Sequence, residues 1–337
     1  MGTISLELKE IFSLAKEALL FNGCDEHNAL VVANTVKEAE RDGSISHGLF
    51  RIPGYVASLK SKKIKPNARP AIEKLSQNVI KVDGDYGFAP IAIKVGIPKL
   101  IEITKNHGVG VMTITNTHHF AALWHETESL ANHNLIGIAC TAYMPSVAPH
   151  GATKPLFGTN PLSFAWPRKN NTPVVYDMAT STMAMGEVQV AARDGHKVPY
   201  GTGIDKDGNK TDDPKAIAEG GVLLPFGNHK GSAIAMMIEL LAAGLVGDLF
   251  SFEAKEVDNK DGGPARGGEF IIALSPELIA GKGWNEHAEK FFREYQSLDG
   301  TRLPGQRRHN NRKDNGPRNI NSNLVEKIRS LCTVDHQ

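Results

Sequence analysis

Apolar side chains near the start of the chain recur at the spacing of an α-helix. Five of them share one face behind a Ser5 cap: Leu8, Ile11, Phe12, Ala15 and Leu19. Asn22 and Gly23 then predict the end of this helix. A second helix is predicted to begin at the Asp25 cap, with four apolar residues on one face: Ala29, Val32, Ala33 and Val36. The chain therefore opens with a helical segment.

After this segment the pattern changes to short apolar runs that alternate with helical stretches. The predicted strands are rich in β-branched residues and cover 79–82, 109–115, 135–141, 173–176 and 270–274. The predicted helices have apolar residues at helical spacing and cover 90–106, 121–133, 233–246, 286–295 and 324–331. The helix at 233–246 is the most apolar and is predicted to be buried. This alternation indicates the α/β class.

The α/β pattern lacks the usual dinucleotide-binding motif. A Rossmann fold carries G-x-G-x-x-G between its first strand and helix, because these glycines let the pyrophosphate approach the helix N-terminus. Here Gly108-Val109-Gly110 precedes a strand, and Gly201-Thr202-Gly203 lies in a polar stretch. A nicotinamide cofactor would therefore have to be held in another way.

The composition of the chain narrows the classes of molecule that it is expected to bind. The 337 residues carry a formal net charge of +1 and are 41% hydrophobic, which suits one large domain or about two to three smaller ones. A balanced charge gives no general attraction to nucleic acid or to a membrane surface. The cysteines lack metal-ligand or redox spacing, and the pattern of a signal peptide or a membrane span is absent. We expect a cytoplasmic protein that acts on small molecules.

The densest group of reactive side chains is the stretch from Ser44 to Arg51, directly after the second helix. It contains the hydroxyl of Ser46, the imidazole of His47 and the guanidinium of Arg51. A histidine exchanges protons near neutral pH, and an arginine binds a carboxylate in a bidentate pair. Together they indicate proton transfer to an anionic substrate. A structural role, in which both residues complement a helix end, is the alternative.

Paired histidines, His118 and His119, occupy a predicted strand-to-helix junction. Backbone N–H groups at a helix start favour an anion, so contact with a phosphate or a nicotinamide is the preferred interpretation. A zinc site completed by His125 and Glu126 is an alternative, although the spacing is not that of a known zinc motif.

Three later stretches also have the chemistry of ligand binding. Asp177 begins a polar cluster at a strand end, and Lys230 lies at the start of the apolar helix. Arg302, Arg307 and Arg308 surround a Pro-Gly turn and could clamp a 2′-phosphate. The structural alternatives are an ordinary turn at Asp177 and a solvated basic surface that leads into a polar tail.

Six motifs in a fixed order identify a resemblance to a known family. They are D-G-S-x-S-H-G-x-F-R-I-P-G-Y (42–55), H-H-F-A-A-L-W (118–124), F-G-T-N-P (157–161), D-M-A-T-S (177–181), L-P-F-G-x-H-K-G (224–231) and R-L-P-G-x-R-R (302–308). This series resembles the malate/L-lactate dehydrogenase type 2 family, whose members use nicotinamide cofactors without a Rossmann fold. The second, third and sixth motifs are most similar to the branch that reduces cyclic imino acids.

The resemblance implies a fold and a set of roles. The fold would be a non-Rossmann α/β fold with an N-terminal helical segment (1–75), a central cofactor-binding domain (76–300) and a C-terminal segment and tail (301–337). Ser46, His47 and Glu187 would form the catalytic relay, with Glu187 where an Asp is expected. Arg51 and Thr159 would contact the substrate. The implied cofactor-binding residues are His118, His119, Phe120, Ala121, Ala122, Asp177, Met178, Ala179, His229, Lys230, Arg302, Leu303, Pro304, Gly305, Gln306, Arg307 and Arg308.

The implied reaction is reduction of Δ1-piperideine-2-carboxylate or Δ1-pyrroline-2-carboxylate to L-pipecolate or L-proline. NADPH would be the cofactor, with NADH less preferred, and the protein would be a homodimer without a metal. The imine carbon accepts hydride only if protonation or a strong hydrogen bond at the nitrogen accompanies the transfer, a task that suits His47. A malate, lactate or ureidoglycolate dehydrogenase of the same fold is the main alternative. A zinc hydrolase that uses His118, His119 and His125, and a non-catalytic binding protein, represent other classes.

Overall fold

The computed structural model describes residues 2–118 and 121–333, and its centre is a mixed seven-stranded sheet. The strands are β1 (Thr3–Leu6), β2 (Ala71–Lys74), β3 (Val79–Asp83), β4 (Val109–His118), β5 (Ile136–Thr141), β6 (Leu162–Trp166), β7 (Val174–Met178), β8 (Gly203–Ile204), β9 (Lys210–Thr211), β10 (Val222–Leu223), β11 (Arg266–Leu274) and β12 (Arg318–Asn321). The large sheet has the order β2-β3-β4-β11-β5-β6-β7, with β3 and β4 parallel and the other neighbours antiparallel.

Helices cover the sheet and form the N-terminal segment. They are α1 (Leu8–Phe21), α2 (Glu26–Asp42), α3 (Ile52–Lys60), α4 (Ala89–His107), α5 (Trp124–Ala131), α6 (Met185–Asp194), α7 (Pro214–Ala218), α8 (His229–Glu239), α9 (Ser251–Val257), α10 (Pro276–Ala280), α11 (Trp284–Ser297), α12 (Gln306–Asn311) and α13 (Ser322–Ser330). The α/β class predicted from the sequence is confirmed.

The helix starts show how local chemistry defines the N-terminal segment. The Asp25 cap is confirmed, because its carboxylate accepts the Asn28 N–H at 2.8 Å. The Ser5 cap is wrong: Ser5 lies in β1, and Glu7 precedes α1 with its N–H donated to Glu10 at 2.7 Å. Ser5 instead pairs across a strand ladder with Asn319, a partner that no local pattern indicates.

Two apolar cores support these layers. The first joins α1, α2 and α3 to Phe88 and Ile91, and it includes Ile320, Val325 and Ile328 from the end of the chain. The second lies between α4 and the sheet. Each large aliphatic side chain buried in these cores contributes roughly 1.5–3 kcal/mol. The C-terminal residues are therefore part of the N-terminal core.

The helix predicted at 233–246 is only partly buried. It appears as α8 followed by a π-helical stretch, Leu240–Leu245. One face packs inward through Ala235, Ile238 and Ala242, but Met236 and Leu240 are more than half exposed. Within residues 2–118 and 121–333, no helix is both long enough and apolar enough to cross a bilayer.

The polar stretch after α12 is anchored rather than solvated. Arg312 donates to Asp42 at the end of α2 and to Glu128 of α5, both at 2.7 Å. Arg318 donates to the carbonyl oxygens of Arg41 and Asn311. These contacts fasten the C-terminal segment to the helix end from which the Ser44–Arg51 stretch leaves.

Candidate active site

Helix α2 delivers the Ser44–Arg51 stretch on a firmly held backbone. Gly43 ends α2 with a φ of +79°, and two 3₁₀ turns, Ile45–His47 and Leu49–Arg51, lead into α3. Glu40 packs directly beneath Gly48, where a Cβ would collide with its carboxylate, and it accepts the Leu49 N–H at 2.8 Å. Burial raises the pKa of Glu40 to about 7.

Within this stretch, Ser46, His47 and Arg51 contact one another. Ser46 Oγ lies 3.1 Å from His47 Nδ1, and Arg51 Nε donates to the Ser46 carbonyl oxygen at 2.7 Å. Loss of hydration lowers the pKa of His47 to about 3, and the charges of Arg51 and His125 act in the same direction. The imidazole is therefore neutral at pH 7 in the absence of a nearby anion.

A cleft of about 960 Å³ opens in front of this group. It is lined by His47, Arg51 and Thr159, so three of the predicted catalytic and substrate-binding residues come together. Thr159 lies between β5 and β6 in the sequence, more than 100 residues after Arg51, and the fold brings it into the same cleft.

The cleft also contains residues that the sequence did not reveal: Tyr55, Tyr143 and Arg193. Burial raises the pKa of both tyrosines, which therefore keep their hydroxyl protons. Arg193 and Arg51 lie over the ring of Phe50 at 5.6 and 5.5 Å. Tyr55 belongs to the first motif and could have been singled out there, but no pattern pointed to Tyr143 or Arg193.

Glu187 does not line the cleft. It lies in the first turn of α6 and is exposed, whereas its neighbour Gly186 faces the site, where a Cβ would approach Arg51 at 2.7 Å. The charged groups that shift the pKa of His47 are Arg51 and His125. Glu187 is exposed and outside the lining of the cleft, and the relay role predicted for it stays a prediction.

Several predicted cofactor-binding residues meet around the start of α5. His118 ends β4, and Ala121 and Ala122 lie just before the helix. Asp177 of β7 accepts the Trp124 N–H at 3.1 Å. Burial raises the pKa of Asp177 to about 6, although the N–H of Trp124 and the charge of Arg308 partly offset it. His119 and Phe120 fall outside the described residues.

The start of α8 lies beside the same edge of the sheet. The Phe226 N–H, three residues before His229, donates to the Thr180 carbonyl oxygen at 3.0 Å. His229 and Lys230 are exposed there, as is Met178 at the end of β7, and Ala179 is half-buried. The fourth and fifth motifs are therefore adjacent in space.

The 302–308 stretch divides into two kinds of residue. Leu303 packs with Val174 and Phe292, the Pro304 carbonyl accepts the Val175 N–H at 3.2 Å, and Gly305 lies close against β7. These three residues fasten the segment to the sheet edge. The others extend outward: Arg302, Gln306 and Arg307 are exposed, and Arg308 is half-buried over the Trp124 ring at 5.1 Å.

The residues present fit an oxygen-rich cofactor. Two adjacent buried donors, Trp124 Nε1 and Arg308 Nε, have no hydrogen-bond partner among the described residues, and neither does His118 Nδ1 at the end of β4. Buried polar atoms are normally satisfied, so these indicate where acceptor oxygens of a ribose or a phosphate would bind. The exposed Arg302 and Arg307 add positive charge nearby in the sequence.

Two buried acids lie beneath this region, and only Glu126 was singled out from the sequence, as a zinc ligand. Glu126 and Glu269 are buried, and their carboxyl oxygens have no hydrogen-bond partner among the described residues. Burial raises the pKa of Glu126 to about 8, with repulsion from Asp177 adding to the shift. Burial also raises the pKa of Glu269. The Glu126 carboxyl is therefore largely protonated at neutral pH.

His125, one of the histidines in the alternative zinc site, makes other contacts. His125 Nδ1 lies 3.3 Å from Glu38, and its ring stacks on Trp124. Across residues 2–118 and 121–333, no three His, Cys, Asp or Glu side chains are grouped as a metal site would require.

Comparison with known proteins identifies several that this chain is similar to. The malate/L-lactate dehydrogenase family pattern matches residues 6–329. A Δ1-pyrroline-2-carboxylate/Δ1-piperideine-2-carboxylate reductase of Pseudomonas putida is 42% identical over 92% of this chain and 91% of its own. The crystal structure of Δ1-piperideine-2-carboxylate reductase from Pseudomonas syringae pathovar tomato superposes with a TM-score of 0.91, at 39% identity, over 98% of this chain and 100% of that one. The malate dehydrogenase of Entamoeba histolytica gives a TM-score of 0.90 at 25% identity, over 98% of this chain and 97% of its own.

Proposed function

The chain belongs to the malate/L-lactate dehydrogenase family, and from this premise we propose that it is an NADPH-dependent reductase of cyclic imino acids. The substrates would be Δ1-piperideine-2-carboxylate and Δ1-pyrroline-2-carboxylate, as the names of its relatives suggest. The observation that carries the proposal is the cleft that His47, Arg51 and Thr159 line together. It offers a proton carrier, a carboxylate-binding cation and a hydroxyl.

Arg51 would bind the carboxylate of the substrate. Its Nε is already committed to the Ser46 carbonyl at 2.7 Å, which fixes the guanidinium plane and leaves the two terminal nitrogens for a bidentate pair. Thr159 would bind the ring from another side of the cleft. With the substrate held at two points, one face of its C=N bond is presented consistently.

His47 would protonate the imine nitrogen. Ser46 occupies Nδ1 and orients the ring, so we assign the transferred proton to Nε2. The pKa of His47, about 3 without substrate, should rise when a carboxylate binds at Arg51, because the anion offsets the positive charge beside the imidazole. The catalytic proton is thereby acquired when substrate is present.

The nicotinamide cofactor supplies the hydride when it is bound. Asp177, Arg308 and the start of α8 would hold it at the β7 edge, where Arg308 has an unsatisfied donor, and His118 would contact it from the end of β4. Arg302 and Arg307, exposed and positively charged, would favour the 2′-phosphate of NADPH over NADH. The walls of this site would be completed by Ala121, Ala122, Met178, Ala179 and Gln306.

We further propose that the enzyme is a cytoplasmic homodimer. The exposed apolar side chains of α8 and the π-helical stretch, among them Met236, Met237, Leu240 and Leu245, suit a subunit interface. Light scattering should give twice the chain mass, and a Leu240→Asp variant should be monomeric. The free cysteines are compatible with a reducing compartment.

Steady-state kinetics test the activity. Purified protein should oxidise NADPH with one or both cyclic imines, and kcat/KM should exceed the values for pyruvate and oxaloacetate. NADH should be used less efficiently. A dominant rate with a 2-oxo acid would instead favour the malate or lactate dehydrogenase alternative, and absence of turnover with both imines would refute the proposal.

A histidine substitution tests the assigned proton donor. His47→Asn should lower kcat roughly 10²–10⁴-fold, the usual contribution of general acid catalysis. His133→Asn, at an exposed histidine outside the cleft, is the matched control and should keep the wild-type rate. Wild-type kinetics in His47→Asn would mean that the proton comes from elsewhere.

A further inference from the structure

The backbone on both sides of Thr159 is held by one buried hydrogen-bond network. On the N-terminal side, the Gly158 N–H donates to Ser251 Oγ at 3.0 Å. On the C-terminal side, Asn160 Nδ2 donates to Glu239 Oε1 at 2.8 Å. Glu239 also accepts the Ser251 N–H at 3.0 Å and the Ser251 hydroxyl. The two arms therefore meet at one carboxylate, that of the last residue of α8.

The loop needs such support because its backbone is constrained. Asn160 is fully buried and has a φ of +36°, a conformation that non-glycine residues rarely adopt without fixed partners. At Gly158 a Cβ would lie 2.5 Å from the Tyr143 carbonyl oxygen, so the loop cannot shift toward the cleft wall. The Thr180 hydroxyl donates to the carbonyl oxygens of Thr159 and Asn160 at 3.1 and 3.0 Å. Only the Thr159 side chain is left to face the cleft.

A carboxylate suits the centre of this network better than an amide. Glu239 is 6% exposed and receives three donors on its two oxygens. An ionised carboxylate only accepts, whereas a glutamine places an NH₂ group where one acceptor oxygen was. A Glu239→Gln change therefore turns the contact with either Asn160 or the Ser251 N–H into a donor facing a donor.

We propose that Glu239 is a positioning residue for substrate binding, acting through the Thr159 loop. This inference rests on the proposed function, since it takes Thr159 as a substrate contact. Glu239 itself lies outside the cleft and touches no reacting atom. Its effect should therefore appear in the KM for the imino acid more than in kcat or in the KM for NADPH.

A double-mutant cycle tests the inference. Glu239→Gln should raise the KM for the cyclic imine roughly tenfold, the range expected when a hydrogen bond to a charged group is lost. Thr159→Ala should also raise it. If Glu239 acts through Thr159, adding Glu239→Gln to Thr159→Ala should change kcat/KM by less than about twofold. If adding Glu239→Gln lowers kcat/KM tenfold both in the wild type and in the Thr159→Ala variant, the proposal is overturned.

Controls separate positioning from general damage. Glu253→Gln alters the neighbouring contact at the start of α9, where Glu253 accepts the Phe250 N–H at 2.9 Å, without reaching the Thr159 loop, and it should keep the wild-type KM. If Glu239→Gln does not fold, Ser251→Ala breaks the Gly158 arm and takes its place in the cycle. A crystal structure of either variant should show Thr159 displaced, and an unmoved Thr159 with a raised KM would also overturn the inference.

A failure of the proposed function can be distinguished from a failure of the positioning role. If the wild type turns over neither imine but reduces a 2-oxo acid, the proposed substrate is wrong, and the same cycle is run with that acid. Coupling between Glu239 and Thr159 should persist there, because it depends on the loop and not on the atom that accepts the hydride. Additive effects would then refute the positioning role separately.

Discussion

Replacing Arg312 with methionine should destabilise the protein by roughly 3 kcal/mol at neutral pH. Arg312 pairs with two carboxylates: the side chain of Asp42 is fully buried and that of Glu128 is 6% exposed. Removal of one partner from a buried ion pair typically costs about 3–5 kcal/mol, because a charge is left without compensation. The lower end is expected here, since Asp42 keeps the charge of Arg41 at 2.8 Å.

The loss should depend on pH in a defined direction. Burial opposes the charge on Asp42, but hydrogen bonds from Arg312 and Arg41 outweigh it and hold the pKa of Asp42 below its usual value. In the wild type this contribution is present above the unfolded-state pKa and is lost as the pH falls through the folded-state pKa. Without Arg312 the pKa of Asp42 should rise. Protonation should then remove the uncompensated buried charge at a higher pH than in the wild type. The deficit should therefore shrink from pH 7 to about pH 5.

Urea denaturation at the two pH values measures this effect. Trp124 is a suitable fluorescent probe, because the Arg312 guanidinium lies 4.9 Å from its ring. Lys313→Met, at the exposed neighbouring position, is the matched control and should change stability little. A deficit below about 1 kcal/mol, the value of an ordinary surface pair, would refute the reasoning. So would a deficit equal at both pH values.

Three further substitutions test the site and the helix beneath it. Arg51→Lys should raise the KM for the imino acid roughly tenfold and leave the KM for NADPH unchanged, because a point charge replaces a bidentate fork; a rise of less than twofold in steady-state assays would contradict this. Glu187→Gln should change kcat less than about threefold because Glu187 is exposed, whereas a loss of two orders of magnitude would establish it as a member of the relay. Glu40→Gln should flatten the stability profile between about pH 4.5 and pH 7. Burial raises the pKa of Glu40 from 4.5 to about 7, so the wild type should lose roughly 3 kcal/mol of stability as the pH rises across that interval and change little above it; parallel urea profiles for the two proteins would contradict this.

The sequence predicted well what local periodicity determines. α1, α2, β3, α4 and the central strands follow from the spacing of apolar residues, and the structure confirms them within a few residues. Pairings between distant parts of the chain were missed. β1 and β12 are four-residue strands at opposite ends of the chain. Each is too short to be recognised as a strand from its own sequence, and each is stabilised by pairing with the other.

In the candidate site, too, local contacts could be predicted from the sequence and distant ones could not. His47 lies one residue before the turn glycine Gly48 and Arg51 lies three residues after it, so their proximity could be predicted from the stretch alone. Arg193 and Tyr143 enter the cleft from separate elements, and their roles depend on packing. Arg312 looked like one charge in a polar tail because Asp42, its buried partner, lies 270 residues earlier.

Glu187 shows why a position in a motif is weaker evidence for a residue's role than its place on a helix face. Successive residues of a helix are rotated by about 100°, so one residue directed into a site turns its neighbour largely away from it. Gly186 occupies the inward direction at the start of α6, and its missing side chain leaves room for the Arg51 guanidinium. Glu187, the next residue, is exposed, and its relay role stays a prediction that the Glu187→Gln variant tests. Ser46 contacts His47 Nδ1, and the backbone contact from Arg51 holds Ser46 in turn. The same arginine that is proposed to bind the substrate carboxylate thus also holds the residue that orients the proton donor.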